Sequence, residues 1–142
     1  LHYLSVFISH SWAYSGHYET LAHWIFEKRW NVAGVPIHFE DHSVPKTDPI
    51  HYAPSEADLR AAIYERIGSS NVVVIPTGMY ANHSGWIQKE IDGAIQYRKH
   101  IIAVNPWTQE RKSSIVSGVS SEIVGWNKQS VISAIWRHRH GH

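Results

Sequence analysis

Short, unbroken apolar runs alternate along this chain with longer stretches in which apolar residues recur every three or four positions. The runs are short and rich in Val and Ile, as buried strands are. The longer stretches carry the period of a helix with one apolar face. Tyr3 to Ser9, "YLSVFIS", opens the series as a strand. From Tyr18 to Trp30, the residues Leu21, Ala22, Ile25 and Phe26 follow helical spacing. "AGVPIHFED" then predicts a turn and a second strand, Pro36 to Glu40, followed by a long loop over 41–54 with three prolines. Ser55 is placed to cap a helix whose apolar face is Leu59, Ala62, Ile63 and Ile67, and Gly68 stops it.

"NVVVIPT", Asn71 to Thr77, is the clearest strand. A continuous run of this kind suits the centre of a parallel sheet covered on both faces. After "GMYANH", Ser84 is placed to cap a helix with Ile87, Ile91, Ala94 and Ile95 on its buried face. His100 to Asn105 reads as a fourth strand, 107–121 as a polar, Ser-rich stretch, and "EIVGW" as a short fifth strand at the sheet edge. "KQSVISAIWRHRH" closes the chain as a helix with Val131, Ile132, Ala134 and Ile135 inward. Strands and helices alternate, which favours a parallel sheet flanked by helices. The expected class is therefore α/β: a flavodoxin-like, doubly wound, five-stranded parallel sheet with helices on both faces. We find no repeat or linker, and read residues 1–142 as a single domain.

Composition narrows the function classes. The 142 residues are 43% hydrophobic, enough for a substantial core. No run reaches the length of a membrane span and no signal-peptide pattern opens the chain, so no membrane contact is expected. The absence of cysteine excludes disulfides and thiolate chemistry and fits a cytoplasmic protein. A formal charge of +1 gives no electrostatic case for nucleic acid. Twelve His invite a metal reading. The tail "RHRHGH" is His-rich, but it lacks a Cys or carboxylate at ligand spacing, and a frayed terminus accounts for it. His10, His42 and His83 would share one edge of the fold, yet they too give no metal site.

In doubly wound sheets, ligands bind beyond the carboxyl ends of the strands. Three polar and aromatic loops reach that edge: Ser9 to Gly16, Asp41 to Pro54 and Gly78 to Ser84. Trp86 and Glu90 sit at i, i+4 on the helix that follows, so they are neighbours on a stripe beside its buried face. Gly93 continues that stripe and leaves room. A Trp there offers a stacking surface, and a carboxylate one turn on offers an acceptor for ribose hydroxyls. The same spacing equally fits a half-buried Trp beside a solvated Glu.

The segments "VFISHSW", "FEDHSVP", "NVVVIPTGMYANHSGWIQKEIDGAI" and "KHIIAVNPW" together resemble the TIR domain family. The likeness is to the bacterial TIR-like branch that includes the Thoeris defence proteins. It covers Tyr3 to about Trp107 and extends loosely to the last helix. The pattern Ser-x-Trp-x-x-x-Glu, formed by Ser84, Trp86 and Glu90, follows an apolar strand and a short loop as it does in that family. The resemblance implies that Glu90 is the catalytic carboxylate of NAD cleavage, that Trp86 stacks on or walls off the ring system, and that NAD is a substrate while no cofactor is resident. Ser9, His10, Ser11 and Trp12 of the first loop become candidate contacts to ribose, phosphate or nicotinamide. Family members often carry an aromatic or basic residue where His10 and Ser11 stand, which leaves their individual roles open.

The resemblance matches 41–54 to the family's BB loop, which commonly serves self-assembly and gates the site; a solvated surface loop is the simpler reading. Asp41 and His42, at the end of the second strand, are weaker candidates. The implied partners are NAD, further TIR copies, and an effector reached through a diffusible nucleotide product in antiphage defence. Two other readings stay open. One is a non-catalytic TIR–TIR interaction module. The other is a nucleoside deoxyribosyltransferase-like enzyme, which shares the fold type and also uses a Glu on a sugar. The flavodoxin phosphate loop is excluded, because Ser9 and Ser11 are not followed by Gly. A response-regulator receiver is disfavoured, because Ser9 and His10 stand where acidic residues would be needed.

Overall fold

The apolar runs form the middle of one sheet, and their side chains divide by parity between two cores. A computed structural model of the chain describes residues 2–9, 15–43, 56–77, 84–105 and 114–140; the side chains of 15–17, 56, 59, 84–86, 114, 115 and 117 are excepted. Among the described residues there are six strands: β1 (His2–Ile8), β2 (Trp30–Val32), β3 (Val35–Asp41), β4 (Val72–Pro76), β5 (His100–Asn105) and β6 (Glu122–Gly125). The helices are α1 (Ser15–Phe26), α2 (Glu56–Gly68), α3 (Ser84–Gln96), α4 (Ser114–Val119) and α5 (Lys128–Arg137).

The sheet order is β2-β3-β1-β4-β5-β6. Every pairing is parallel except β2 with β3. Leaving out β2, the order is the doubly wound arrangement expected from the alternation of elements. On one face, Leu4, Val6 and Ile8 of β1, Val72 and Val74 of β4, and Ile102 and Val104 of β5 pack with Leu21, Ile25, Val131 and Ile135 of α1 and α5. On the other, Phe7, Val73, Ile75, Ile101 and Ala103 pack with Ile63, Ile67, Ile87, Ile91 and Ala94 of α2 and α3. Each strand therefore supplies alternate residues to each core, as a pleated strand buried on both sides must.

Four expectations are corrected. The sheet has six strands rather than five, because Trp30–Val32 turns back on β3 as an antiparallel edge strand. The turn places Ala33 and Gly34 at φ 52° and 80°, the left-handed pair that a two-residue hairpin requires. The first helix accordingly ends at Phe26 rather than Trp30. Trp30 is buried instead as the first residue of β2. In the Ser-rich stretch, α4 inserts a fully buried Val116 into the second core. The last helix ends at Arg137 and His138 just after it is held to the fold, while Gly141 and His142 of the tail lie outside the described residues. His138 Nε2 lies 3.0 Å from Glu122 Oε1, and its ring meets that of His100 at 4.7 Å.

The capping and packing of α3 and α5 follow from their residues. Asn127 caps α5, its side chain accepting from the Ser130 amide at 3.0 Å. On α3, Ile87, Ile91 and Ala94 are buried as expected, but Ile95 is 60% exposed. The helix is rotated so that Glu90 and Gly93, not Ile95, turn away from solvent. Gly93 does not open a gap. A Cβ there would lie 3.0 Å from Tyr64 Cδ1 and 3.1 Å from Ile67 Cδ1, so this glycine lets α2 and α3 approach closely.

Candidate active site

Glu90 has no exposed surface, and neither does Ser9. The Ser9 hydroxyl donates to Glu90 Oε1 at 2.5 Å. Two features of the chain bring them together. Ser9 follows the last residue of β1, and its amide donates to the Val74 carbonyl at 2.8 Å, which carries the pairing of β1 with β4 one residue further. Parity puts its side chain on the same sheet face as Phe7, under α3. Glu90, three residues beyond Ile87, points from α3 down to that row. The solvated-Glu reading is overturned by this burial. A carboxylate taken out of water is costly unless hydrogen-bonded, and Ser9 supplies one such bond.

The row continues across the sheet. Thr77, just past β4, is fully buried, and its hydroxyl donates to Asn105 Oδ1 at 2.9 Å. Both lie on the parity of Val73, Ile75, Ile101 and Ala103, and so on the face that carries Ser9 and Glu90. The carboxyl ends of β1, β4 and β5 thus carry Ser9, Thr77 and Asn105 on one face, with Ser9 level with Ile75 and two residues short of the Thr77–Asn105 pair. Thr77 and Asn105 were not singled out in the sequence. A usable signal was present: each is a polar residue that extends an apolar column by one step at the ligand-binding end of its strand.

Asp41 and His42 are not brought to Glu90. Asp41 shares the parity of Ile37 and Phe39, on the opposite sheet face, where it accepts from Tyr18 Oη at 2.8 Å and from the Ser43 amide at 2.9 Å. Burial, and then the hydrogen bond to Asp41, hold the Tyr18 phenol well above its usual range. His42 falls on the Ser9 face, but its Nδ1 lies 3.0 Å from Ser69 Oγ, at the far end of α2. Buried Ser43 accepts from the Ile8 amide at 2.8 Å, and its carbonyl accepts from Arg66 at 3.2 Å. The second loop is thereby anchored to β1 and α2 where it leaves the sheet.

Ser84 and Trp86 lie in the first turn of α3, one turn before Glu90, and their side chains are outside the description. His10, Ser11 and Trp12, His83 and the loop 44–54 lie outside the described residues. Among the described residues, no three His, Asp or Glu side chains are grouped to hold a metal ion, and no helix is long and apolar enough to cross a membrane.

In this doubly wound α/β domain the buried carboxylate lies over the carboxyl ends of the central strands, where such folds bind their ligands. Residues 7–111 match the family described as the Thoeris protein ThsB, TIR-like domain, and the chain belongs to that family. Among solved structures it is similar to the Clostridium botulinum CMP N-glycosidase BcmB. That likeness has a TM-score of 0.53 at 17% identity and covers 94% of this chain and 98% of that one. It bears on the fold. No curated protein matches the chain.

Proposed function

We propose that this domain is a nucleotide N-glycosidase whose substrate is NAD, cleaving the bond between nicotinamide and ribose. The observation that carries the reading is the buried hydrogen bond between Ser9 and Glu90 at the carboxyl edge of the sheet. Membership of the ThsB TIR-like family and a fold shared with a CMP N-glycosidase support it.

One carboxylate suffices for this chemistry. Glycosidases usually need a second carboxyl group to protonate a poor leaving group. Nicotinamide in NAD is already cationic, so the C1′–N bond can break with its electron pair passing to the ring nitrogen, which becomes neutral. The ribosyl centre left behind is an oxocarbenium-like cation. Glu90, shielded from bulk water and fixed by Ser9, faces that charge where its field is least screened. Water then adds to C1′ and loses a proton to give ADP-ribose, or an internal nucleophile of the substrate adds instead to give a cyclic isomer. In the second case the product serves as a diffusible signal to a separate effector in antiphage defence. Self-association of the domain through TIR–TIR contacts, in the cytoplasm, belongs to the same proposal.

The test is incubation with NAD and chromatography of released nicotinamide. Wild-type protein should release it, and Glu90→Gln should not, while circular dichroism shows an unchanged fold. Full activity in Glu90→Gln would overturn the assignment. The likeness to the CMP enzyme favours one second reading, a pyrimidine nucleotide N-glycosidase. Release of cytosine from CMP, with NAD left intact, would establish it.

A further inference from the structure

The Thr77–Asn105 pair has no part in breaking the glycosidic bond as derived above, yet it is placed like a binding element. Thr77 is fully buried and donates its hydroxyl proton to Asn105 Oδ1. That bond fixes the carboxamide. Its acceptor arm is occupied, and its Nδ2 arm, carrying two N–H donors, has no partner among the described residues. A half-buried amide held in this way presents donors only. Its complement is a group that only accepts.

Position narrows the choice. Ser9 ends β1 and Asn105 ends β5, with β4 between them. With about 4.8 Å between strands and a two-residue offset of about 3.3 Å per residue along them, the two backbones are roughly 12 Å apart. That span exceeds a ribose ring, so a substrate whose reacting sugar meets Glu90 reaches Asn105 with a more distant part. In a dinucleotide, the acceptor-only groups at such a remove are the pyrophosphate oxygens.

We infer that Thr77 and Asn105 form a second substrate contact, in which Thr77 orients the Asn105 carboxamide to donate to a pyrophosphate oxygen of a dinucleotide. The contact rests on the proposed reading of Glu90 and deepens it. It makes Asn105 a specificity residue that favours dinucleotides over mononucleotides, and Thr77 the positioning residue behind it.

Asn105→Asp tests this with the fold preserved, because an Asp carboxylate still accepts from Thr77 while offering no donor and repelling phosphate. The KM for NAD should rise roughly tenfold or more, as loss of a hydrogen bond to a charged group implies, with kcat within about twofold of wild type. Inhibition by ADP-ribose, which keeps the pyrophosphate and lacks nicotinamide, should weaken by a similar factor. Thr77→Val should give a smaller rise in KM, since it frees the carboxamide to turn. An unchanged KM and unchanged ADP-ribose inhibition in Asn105→Asp would overturn the inference while leaving Glu90 in place. A higher KM with unchanged ADP-ribose inhibition would also overturn it, since the contact would then lie on the nicotinamide side. Failure of wild-type protein to turn over NAD would remove the reading beneath it.

Discussion

Ser9 and Glu90 are 81 positions apart in the chain and 2.5 Å apart at their side-chain oxygens. One ends a central strand and the other sits mid-helix, and both are fully buried. The hydroxyl holds the carboxylate in one orientation, so its removal should be felt in rate as well as in stability.

In Ser9→Ala, nicotinamide release should fall by about tenfold to a hundredfold in kcat, as loss of the hydrogen bond that orients the carboxylate implies. Stability should drop by about 1–3 kcal/mol, because the buried carboxylate loses one charge-assisted hydrogen bond. Single-turnover kinetics and urea unfolding measure the two effects separately. Wild-type kcat in Ser9→Ala would remove Ser9 from the machinery.

Gly93 is tested by adding bulk. A Cβ at this position already lies within 3.2 Å of both Tyr64 and Ile67. Gly93→Val should destabilise the domain by about 1–3 kcal/mol through overpacking. Gly93→Ala should cost less, because better helix propensity returns up to about 1 kcal/mol. A lower urea midpoint at constant slope is the expected signature for Val; an unchanged midpoint would mean that α2 and α3 separate freely.

The cap of α5 offers a prediction away from the site. Asn127→Ala removes the acceptor for the Ser130 amide and should cost about 1 kcal/mol. Thermal unfolding should show a lower midpoint, while turnover of NAD stays at the wild-type level. A shift in turnover instead would link α5 to the site.

Tyr18 makes stability depend on pH in the alkaline range. Its phenol is raised above the usual value of 10.0, first by burial and then by Asp41. The folded state therefore keeps a proton that the unfolded chain releases. The stability this gives is fully present below pH 10.0 and is lost as pH climbs beyond that value. Tyr18→Phe should be less stable at neutral pH, for want of the bond to Asp41, and should show a shallower alkaline decline. Denaturant titrations at a series of alkaline pH values measure this, and parallel declines in the two proteins would refute it.

The sheet was legible because its strands announce themselves. Val72 to Pro76 and Ile101 to Val104 are apolar on both parities, which only a doubly covered strand tolerates. β2 was not legible. It has three residues, and Trp30 follows Phe26 at i+4, so helical periodicity ran on through a segment that the Ala33–Gly34 turn in fact folds back. Helical spacing also put Glu90 on the right stripe but could not bury it, since its partner stands on another element. Gly93 failed for the same reason: the space it leaves is filled by Tyr64 and Ile67 of α2. Periodicity reports on an element's own faces and is silent about what another element brings to them.

The order of the strands has a consequence for how the protein is made. β1 is synthesised before both strands that flank it, β3 and β4, and Ser9 at its end waits for a helix that begins at Ser84. Elongation adds about 5–20 residues per second, so several seconds separate the emergence of the hydroxyl from that of the carboxylate it binds. A nascent or truncated chain that stops short of α3 has the strand but no site. Any chemistry that depends on the pair is therefore withheld from every chain that stops short of α3.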